Sequence, residues 1–343
     1  GWAGRLWSPA IGVEHRATRE AAAIFDETSF AKIEVSGEGA AEFLERLCDN
    51  KVAREVGAIT YTSMLNERGG IECDFTVTRL AEDRFRIVTG TAFGQHDLAW
   101  IRSHAPEDGS VRVENLTSQL ACLGIWGPKS REILEPLTGP LDFPYMRARE
   151  LAVGSVPCLA LRVTYVGELG WELYCPTEFG LRLWDTIWEA GREHGLLAGG
   201  YKAIDSCRLE KGYRVWGADI TPEDTPWEAG LGFAVKLDKG DFIGRDALVE
   251  KREPERRLVC IALEDPRSVA LGSESVRIDG DLVGRVTSGG YGYTVEKSIA
   301  YAYVPAANAE VGQPVEVEIF GEWIPGAIAA EPLYDPKSER VRA

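Results

Sequence analysis

The sequence lacks the patterns that mark disulfide frameworks and metal centres. Its seven cysteines include no C-x-x-C pair, and its four histidines show no metal-ligand spacing. Scattered cysteines with mostly apolar neighbours are typical of buried, reduced thiols in a cytosolic protein. We therefore expect a cytoplasmic location and predict no metal site.

The sequence also has no long apolar run and little positive charge. No segment approaches the ~20 apolar residues of a membrane helix, and no signal peptide is recognisable. Lys and Arg number 38 against 54 Asp and Glu, so the net charge is −16. This excess argues against nucleic-acid or anionic-membrane partners. The first residue is Gly1 rather than methionine, which indicates either processing or a place within a longer chain.

Residues 1–47 contain a pattern that invites a nucleotide-binding interpretation. We predict an extended segment around Trp2 and Trp7, a helix within residues 13–25 and a strand over residues 30–36. A G-x-G sequence, Gly37 to Gly39, follows that strand. The third glycine position of a dinucleotide fingerprint is Glu42, and no second βα unit follows. The segment therefore predicts an ordinary strand that leads into an amphipathic helix.

Residues 58–90 predict three strands of a meander, and Asp74 interrupts the second. Aspartate is depleted from strand interiors, and a buried carboxylate is costly unless it is paired or functional. Tyr61 lies on the partner strand of the same hairpin. Asp74 is either a functional carboxylate or a residue on the wet face of the sheet.

Residues 161–175 predict a hairpin that could form one side of a pocket. Tyr165 ends its first strand, and Glu172 lies in the second. If both face one pocket, Tyr165 supplies an aromatic wall and Glu172 a carboxylate that accepts two parallel N–H bonds from a flat ring. The alternative is a surface hairpin with solvated glutamates.

Residues 198–211 predict a helix that carries basic residues in an acidic chain. Arg208 lies one turn from Asp205, and Lys202, Lys211 and Arg214 are close in sequence. The cluster is either a salt-bridged helix face or a site for carboxylates on a ligand tail. After the charged segment 251–257, five short strands recur between turn signals, the last over residues 315–319, and predict a small antiparallel β-barrel.

Four motifs, in this order, carry a family resemblance: MLNERGGIECDFTVTRL (64–80), YVGELGWEL (165–173), DSCRLEKGYRVWG (205–217) and GRVTSGGYGYTVEKSIAYAYV (284–304). Together they resemble the folate-dependent aminomethyltransferase family, the T-protein of glycine cleavage and its relatives. The motif sequences are most similar to the folate-binding portion of dimethylglycine and sarcosine oxidases and dehydrogenases. The resemblance runs from about Trp2 to the C-terminus.

The resemblance implies an α+β fold, with three domains in a ring around a central folate channel and a C-terminal β-barrel. We expect an N-terminal folate-binding domain over residues 1–150 that mixes with the next. A second α+β domain with the pterin-site motif is expected over residues 151–250, and the barrel over residues 251–343.

The resemblance also implies site residues and a cofactor, tetrahydrofolate. Asp74 occupies the place of the family's essential aspartate, near the folate N10 or the attacking amine. Family members often have two adjacent acids there, whereas this sequence has Cys73 before Asp74. The implied cofactor-binding residues are Glu172 at the pterin, Tyr165, Arg208 and Tyr61.

The function implied is transfer of a methylene unit from an N-methyl-derived iminium to tetrahydrofolate, which gives 5,10-methylenetetrahydrofolate. The donor would be a methylated amine derivative. Because these residues contain no flavin motif, the iminium would come from a flavin-dependent amine oxidase or dehydrogenase domain or subunit. One alternative is a demethylase that passes a methyl group directly from a sulfonium, ether or quaternary amine. The other is a non-catalytic folate-binding protein, although Tyr213 follows Lys211-Gly212 where such relatives carry a cysteine.

Overall fold

A computed structural model describes residues 8–343. Its helices are α1 (Pro9–Glu20), α2 (Ala40–Leu47), α3 (Gly94–Ser103), α4 (Ser130–Thr138), α5 (Gly180–Gly191), α6 (Tyr201–Lys211), α7 (Arg245–Glu250) and α8 (Glu339–Arg342). Its strands are β1 (Ala22–Asp26), β2 (Ala31–Ser36), β3 (Ile59–Leu65), β4 (Ile71–Ala81), β5 (Arg84–Thr89), β6 (Arg112–Asn115), β7 (Leu120–Trp126), β8 (Ala148–Val153), β9 (Val156–Leu161), β10 (Gly170–Pro176), β11 (Leu196–Gly199), β12 (Arg256–Leu263), β13 (Ser275–Ile278), β14 (Asp281–Gly292), β15 (Lys297–Pro305), β16 (Pro314–Ile319) and β17 (Glu322–Ala329). No helix among residues 8–343 is both long and apolar enough to cross a membrane.

The first sheet has five antiparallel strands in the order β3-β4-β5-β2-β6. The apolar faces of α2 and α3 cover one side, where Phe43, Leu44 and Leu98 pack against strand residues such as Ile33 and Ile87. The predicted meander over residues 58–90 is confirmed as β3, β4 and β5. The alternation of apolar and polar residues predicts these strands well, because one face of the sheet is buried.

The second sheet has six strands in the order β11-β1-β7-β10-β9-β8, with only the β1–β11 pair parallel. Helices α4 and α5 pack on one face, and α6 contributes Ala203, Ile204 and Cys207 to the core on the other. The division into residues 1–150, 151–250 and 251–343 stays a prediction. Its first boundary nevertheless separates strands that pair, because β1 and β7 from the first segment share this sheet with β9 and β10.

The C-terminal segment forms a closed barrel in the order β12-β15-β14-β13-β16-β17. The barrel and the α+β class are confirmed, but the sequence indicated five strands and missed β17. Pro325 and Gly326 lie inside β17, and both residue types argue against a strand in a sequence pattern. Helix α6 joins the barrel to the second sheet, since its Leu209 packs against Tyr301 of β15.

Two local predictions were wrong at their boundaries. The helix within residues 13–25 ends at Glu20, and Ala22–Asp26 is strand β1, which pairs with β7 and β11. The helix predicted over residues 198–211 begins at Tyr201 after strand β11. In both places tertiary pairing overrides alanine's helix propensity. The extended segment predicted around Trp2 and Trp7 lies outside the described residues.

The hairpin predicted over residues 161–175 also differs. Strand β9 ends at Leu161, and residues 162–169 form a connecting loop before β10. Thr164 explains the early end, because its Oγ1 accepts hydrogen bonds from the backbone N–H groups of Val166, Gly167 and Glu168 at 3.0–3.3 Å. Such local side-chain bonds compete with a strand ladder.

Candidate active site

Tyr61 and Asp74 form a hydrogen-bonded pair on the hairpin of β3 and β4. Tyr61 is opposite Thr76 in the antiparallel register, so Asp74, two residues away, lies on the same face. Tyr61 Oη donates a 3.0 Å hydrogen bond to Asp74 Oδ2. The Tyr61 ring stacks on the exposed Phe233, with ring centroids 6.2 Å apart. Asp74 is therefore a partnered carboxylate inside the protein rather than one on an open sheet face.

Asp74 holds its proton more tightly than an ordinary aspartate. Burial raises its pKa to about 7, while the hydrogen bond from Tyr61 opposes that rise. The charges of Asp97 and Asp219 raise the pKa further. A carboxyl group with a pKa near neutrality is well matched to proton transfer at physiological pH.

Tyr165 belongs to the loop that precedes β10. Its Oη donates a 2.6 Å hydrogen bond to the Arg214 carbonyl oxygen, and its ring stacks on Tyr213 at 5.8 Å. Burial raises the pKa of Tyr165, and the charges of Asp74 and Asp219 raise it further. Tyr165 therefore shares an electrostatic environment with Asp74.

Arg208 on α6 is held in a buried ion pair with Asp219. Arg208 Nη1 lies 2.9 Å from Asp219 Oδ2 and donates a 3.1 Å hydrogen bond to Ser288 Oγ of the barrel. Asp219 Oδ1 accepts further 2.6 Å bonds from Thr287 and Ser288. Arg208 therefore ties α6 to strand β14. Its Nε has no hydrogen-bond partner within residues 8–343, and its contact with a pterin stays a prediction.

Glu172 lies in the middle of the second sheet, on β10 between β7 and β9. Gly124 and Leu161 are its neighbours across the two strands. The side chain is buried, and Tyr174 Oη donates a 2.6 Å hydrogen bond to its Oε2. Burial raises the pKa of Glu172 to about 7, opposed by Tyr174 and by the charge of Lys32.

A second glutamate, Glu27, lies beside Glu172. One carboxylate oxygen of each lies within 4.8 Å of the other and of the Cys122 thiol. Lys32 is buried in the same place, and its Nζ donates a 2.7 Å hydrogen bond to the Thr28 carbonyl. The strands β2, β7 and β10 and the end of β1 thus bring four ionisable groups together at this point.

The structure places the five predicted site residues in two groups. The first group contains Asp74, Tyr61, Tyr165 and Arg208. Tyr61 and Tyr165 interact with the carboxylate of Asp74, and Arg208 interacts with that of Asp219. Glu172 belongs to the second group, and its charge acts on Tyr145. Burial raises the pKa of Tyr145, and the charge of Glu172 raises it further. Burial likewise raises the pKa of Tyr213, which stacks on Tyr165, and Tyr145 raises it further. A common pocket for Tyr165 and Glu172 stays a prediction.

Comparison with known proteins gives the family. Residues 2–239 match the GCVT N-terminal domain, and residues 256–335 match the glycine cleavage T-protein C-terminal barrel domain. The chain belongs to the glycine cleavage T-protein family. The resemblance inferred from the four sequence motifs is therefore confirmed.

Several relatives of this T-protein family chain cover nearly its whole length. It is 39% identical to the aminomethyltransferase of Symbiobacterium thermophilum, over 97% of this chain and 92% of the relative. It is similar to the crystal structure of glycine cleavage system aminomethyltransferase T from Bartonella henselae, with a TM-score of 0.87 and 30% identity. That match covers 94% of this chain and 89% of the other.

Two further relatives are much longer than this chain. It is 39% identical to 4-methylaminobutanoate oxidase (formaldehyde-forming) of Paenarthrobacter nicotinovorans and 38% identical to mitochondrial dimethylglycine dehydrogenase of Homo sapiens. Each match covers 98% of this chain but only 41% and 40% of the respective relatives. The chain thus spans about two fifths of their length.

Sequence reasoning missed several polar residues of the T-protein fold: Glu27, Lys32, Tyr174 and Asp219. Glu27 follows the apolar run of β1, and Lys32 interrupts β2, which were available signals of buried charge. No local pattern marked Asp219, because its partners come from α6 and the barrel.

Among residues 8–343, two separate sets of side chains are each close enough together to hold an ion: Cys73, His96 and Asp97, and Glu27, Cys122 and Glu172. Burial raises the pKa of both thiols, so each holds its proton at neutral pH. The ammonium group of Lys32 further opposes a cation at the second set. This donor chemistry does not favour a resident metal, and we assign none.

Proposed function

We propose that this chain transfers a methylene unit from an N-methyl-derived iminium to tetrahydrofolate, with 5,10-methylenetetrahydrofolate as the product. The observation that carries the proposal is the Tyr61–Asp74 pair, in which a partly buried carboxylate has a pKa of about 7. Family membership and similarity to proteins named aminomethyltransferase support it.

The residues of the chain fit a reduced pterin. Tetrahydrofolate supplies a nucleophilic ring nitrogen and a flat edge with adjacent N–H donors. Glu172 would accept two N–H bonds from that edge, in the geometry that carboxylates also offer to arginine. Tyr165, stacked on Tyr213, would form an aromatic wall, and Arg208 would contact the ligand from α6.

Asp74 would act as the base of the transfer. As the attacking nitrogen bonds to the iminium carbon, the carbon–nitrogen π bond of the donor would break, and Asp74 in its ionised form would accept the proton that leaves the attacking nitrogen. When the second folate nitrogen closes the methylene bridge, the donor would depart as its amine with one of the two protons lost by the folate nitrogens, and the other proton would pass to solvent. Tyr61 orients the carboxylate through the hydrogen bond from its Oη to Oδ2. Removal of such a base lowers a rate by ~10²–10⁴-fold. A direct demethylase would have less need of this group, so the retained Asp74 favours methylene transfer.

The donor in this proposal is an oxidised methylated amine. A flavin-dependent amine oxidase or dehydrogenase, as a further domain or a partner subunit, would supply the iminium. This assignment is supported by two relatives that are named an oxidase and a dehydrogenase and of which this chain spans 41% and 40%.

Two measurements test the proposal. The first is quenching of tryptophan fluorescence on titration with tetrahydrofolate, for which we expect saturable binding by the wild type and by Asp74→Asn. The second adds a separate flavin-dependent amine oxidase with its N-methylated amine and identifies the folate product by mass. We expect 5,10-methylenetetrahydrofolate with the wild type and free formaldehyde in its place with Asp74→Asn. A 5-methyltetrahydrofolate product would instead support the demethylase, and absent binding would overturn the folate assignment.

A further inference from the structure

Glu27 is a buried carboxyl group that the reaction described above does not use. Its side chain is 0% exposed, and neither carboxylate oxygen has a hydrogen-bond partner in the described part of the chain. An ionised carboxylate without a partner is very costly inside a protein, so such a group keeps its proton. Burial accordingly raises the pKa of Glu27 well above its usual range, and the charge of Glu172 raises it further.

The neighbouring Glu172 is better equipped to carry a negative charge. Tyr174 Oη donates to it at 2.6 Å, whereas Glu27 accepts no hydrogen bond within residues 8–343. Gly124 lies opposite Glu172 on β7, and its lack of a side chain leaves room for the Trp126 ring and for Glu27. A Cβ atom there would lie 3.0 Å from Glu27 Oε2.

We infer that Glu27 and Glu172 hold one proton between them at pH 8, that the charge resides on Glu172, and that Glu27 acts through Glu172 as a positioning residue. The inference rests on the proposed function in one respect, because it takes Glu172 as the acceptor of the ligand's ring edge. Glu27 itself is not a catalytic residue.

The shared proton determines which ligand edge fits. One carboxylate beside the Lys32 ammonium leaves this end of the site without net charge, which suits a neutral ring with two adjacent N–H donors. Two ionised carboxylates would leave a net negative charge and would favour a cationic guanidinium. Glu27 would therefore select an uncharged cyclic amidine over a cation of the same shape.

The charged and titratable groups that act on the pair come from several elements. They are Asp26 on β1, Lys32 on β2, Cys122 on β7, Tyr174 on β10, and Tyr145 and Tyr201 from the adjoining segments. Lys32 is the cation among them, and it opposes the rise in pKa of both glutamates.

The direct test uses the ligand-free protein. Infrared spectra of ¹³C-glutamate-labelled protein at pH 8 should contain the carboxylic-acid band of one buried, protonated glutamate. The band should persist in Asp26→Asn, a matched control that removes the adjacent exposed charge, and in Glu172→Gln. It should disappear in Glu27→Gln. A wild-type spectrum without this band would overturn the inference, whether or not the protein binds folate.

The second test measures tetrahydrofolate affinity against pH for the wild type and Glu27→Gln. Binding requires ionised Glu172, whose pKa is about 7, so affinity should fall ~tenfold per pH unit below that value. The acid limbs of the two proteins should coincide, because the side-chain amide of the variant resembles a protonated carboxyl group. A limb that moves ~1 pH unit or more to lower pH in the variant would show that Glu27 had been charged. Absence of folate binding at every pH would overturn the proposed function. The infrared spectra would still show whether Glu27 is protonated.

Discussion

Tyr61 and Asp74 face each other diagonally across one hairpin, and the 3.0 Å bond from Tyr61 Oη to Asp74 Oδ2 opposes the pKa rise that burial imposes on Asp74. If Asp74 is the base, loss of this bond in Tyr61→Phe should raise its pKa. The acid limb of the pH–rate profile for methylene transfer should then move ~0.5–1 pH unit to higher pH. Rates measured between about pH 5.5 and 9 would detect this shift.

If Tyr61→Phe still transfers the methylene unit and the acid limb of its pH–rate profile does not move, Asp74 is not the titrating base. Tetrahydrofolate affinity at pH 9 provides the control, since it reports whether the variant's pocket is still formed.

The raised pKa of Asp74 predicts that this residue supports activity at a cost in stability. Its pKa is about 7 in the fold and ~3.9 in an unfolded chain. The fold therefore loses stability as pH rises from ~4 to about 7 and Asp74 ionises. Asp74→Asn should abolish transfer yet raise the free energy of unfolding at pH 8 by ~2 kcal/mol or more.

Urea unfolding of Asp74→Asn and wild type at pH 4.5 and pH 8 measures this difference. The gain should be small at the lower pH, where the wild-type carboxyl is already protonated. An equal gain at both values would mean that the stabilisation does not come from the charge of Asp74.

Glu172 should dominate recognition of the pterin edge. Removal of a charged hydrogen-bond partner costs ~1.5–3 kcal/mol, which corresponds to a ~10–150-fold loss of affinity. We expect this loss of tetrahydrofolate affinity in Glu172→Ala, measured by tryptophan fluorescence at pH 8. Glu150→Ala is a suitable control, because Glu150 is an exposed residue of β8 in the same sheet. Unchanged affinity in Glu172→Ala would remove Glu172 from the pterin site.

Arg208 should contribute to stability as well as to any ligand contact. Arg208→Met leaves the fully buried Asp219 without its cation, and a broken buried ion pair costs ~3–5 kcal/mol. Adding Asp219→Asn to Arg208→Met should restore part of the loss, because the two residues are directly coupled. Urea midpoints of the single and double variants test this coupling. A loss that the second substitution does not relieve would mean that Asp219 is not the partner that matters.

The residues alone predicted the meander, and they placed Tyr61 on the partner strand of Asp74, for a physical reason. Tyr61 and Asp74 are 13 positions apart in the sequence, and a single antiparallel hairpin determines which of its residues share a face. Helix α5 carries a similarly local signal, because Leu183 and Ile187 repeat at helical spacing and are both buried. Assignment of Glu172 and Arg208 to a ligand depended instead on the family resemblance.

The residues that were missed belong to long-range contacts. Strand β1 resembles a helix in its alanine content and becomes a strand only because β7 and β11 lie on either side of it. Two other differences have local causes: Thr164 ends β9 early through hydrogen bonds from the backbone that follows it, and Pro325 argued against the sixth barrel strand. Propensity is a weak predictor wherever such tertiary contacts decide the conformation.

The sequence by itself determined the meander and the C-terminal barrel, since hydrophobic period and hairpin register are local properties, and its motifs carried the family resemblance that implied the α+β class. Only the tertiary structure decided which charges meet. It brought Glu27, at the end of β1, within 4.8 Å of Glu172, and it joined Arg208 of α6 to Asp219 and the barrel. The protonation of Glu27 follows from its burial and from the charge of Glu172, which is distant in the sequence, and no local pattern contains that information.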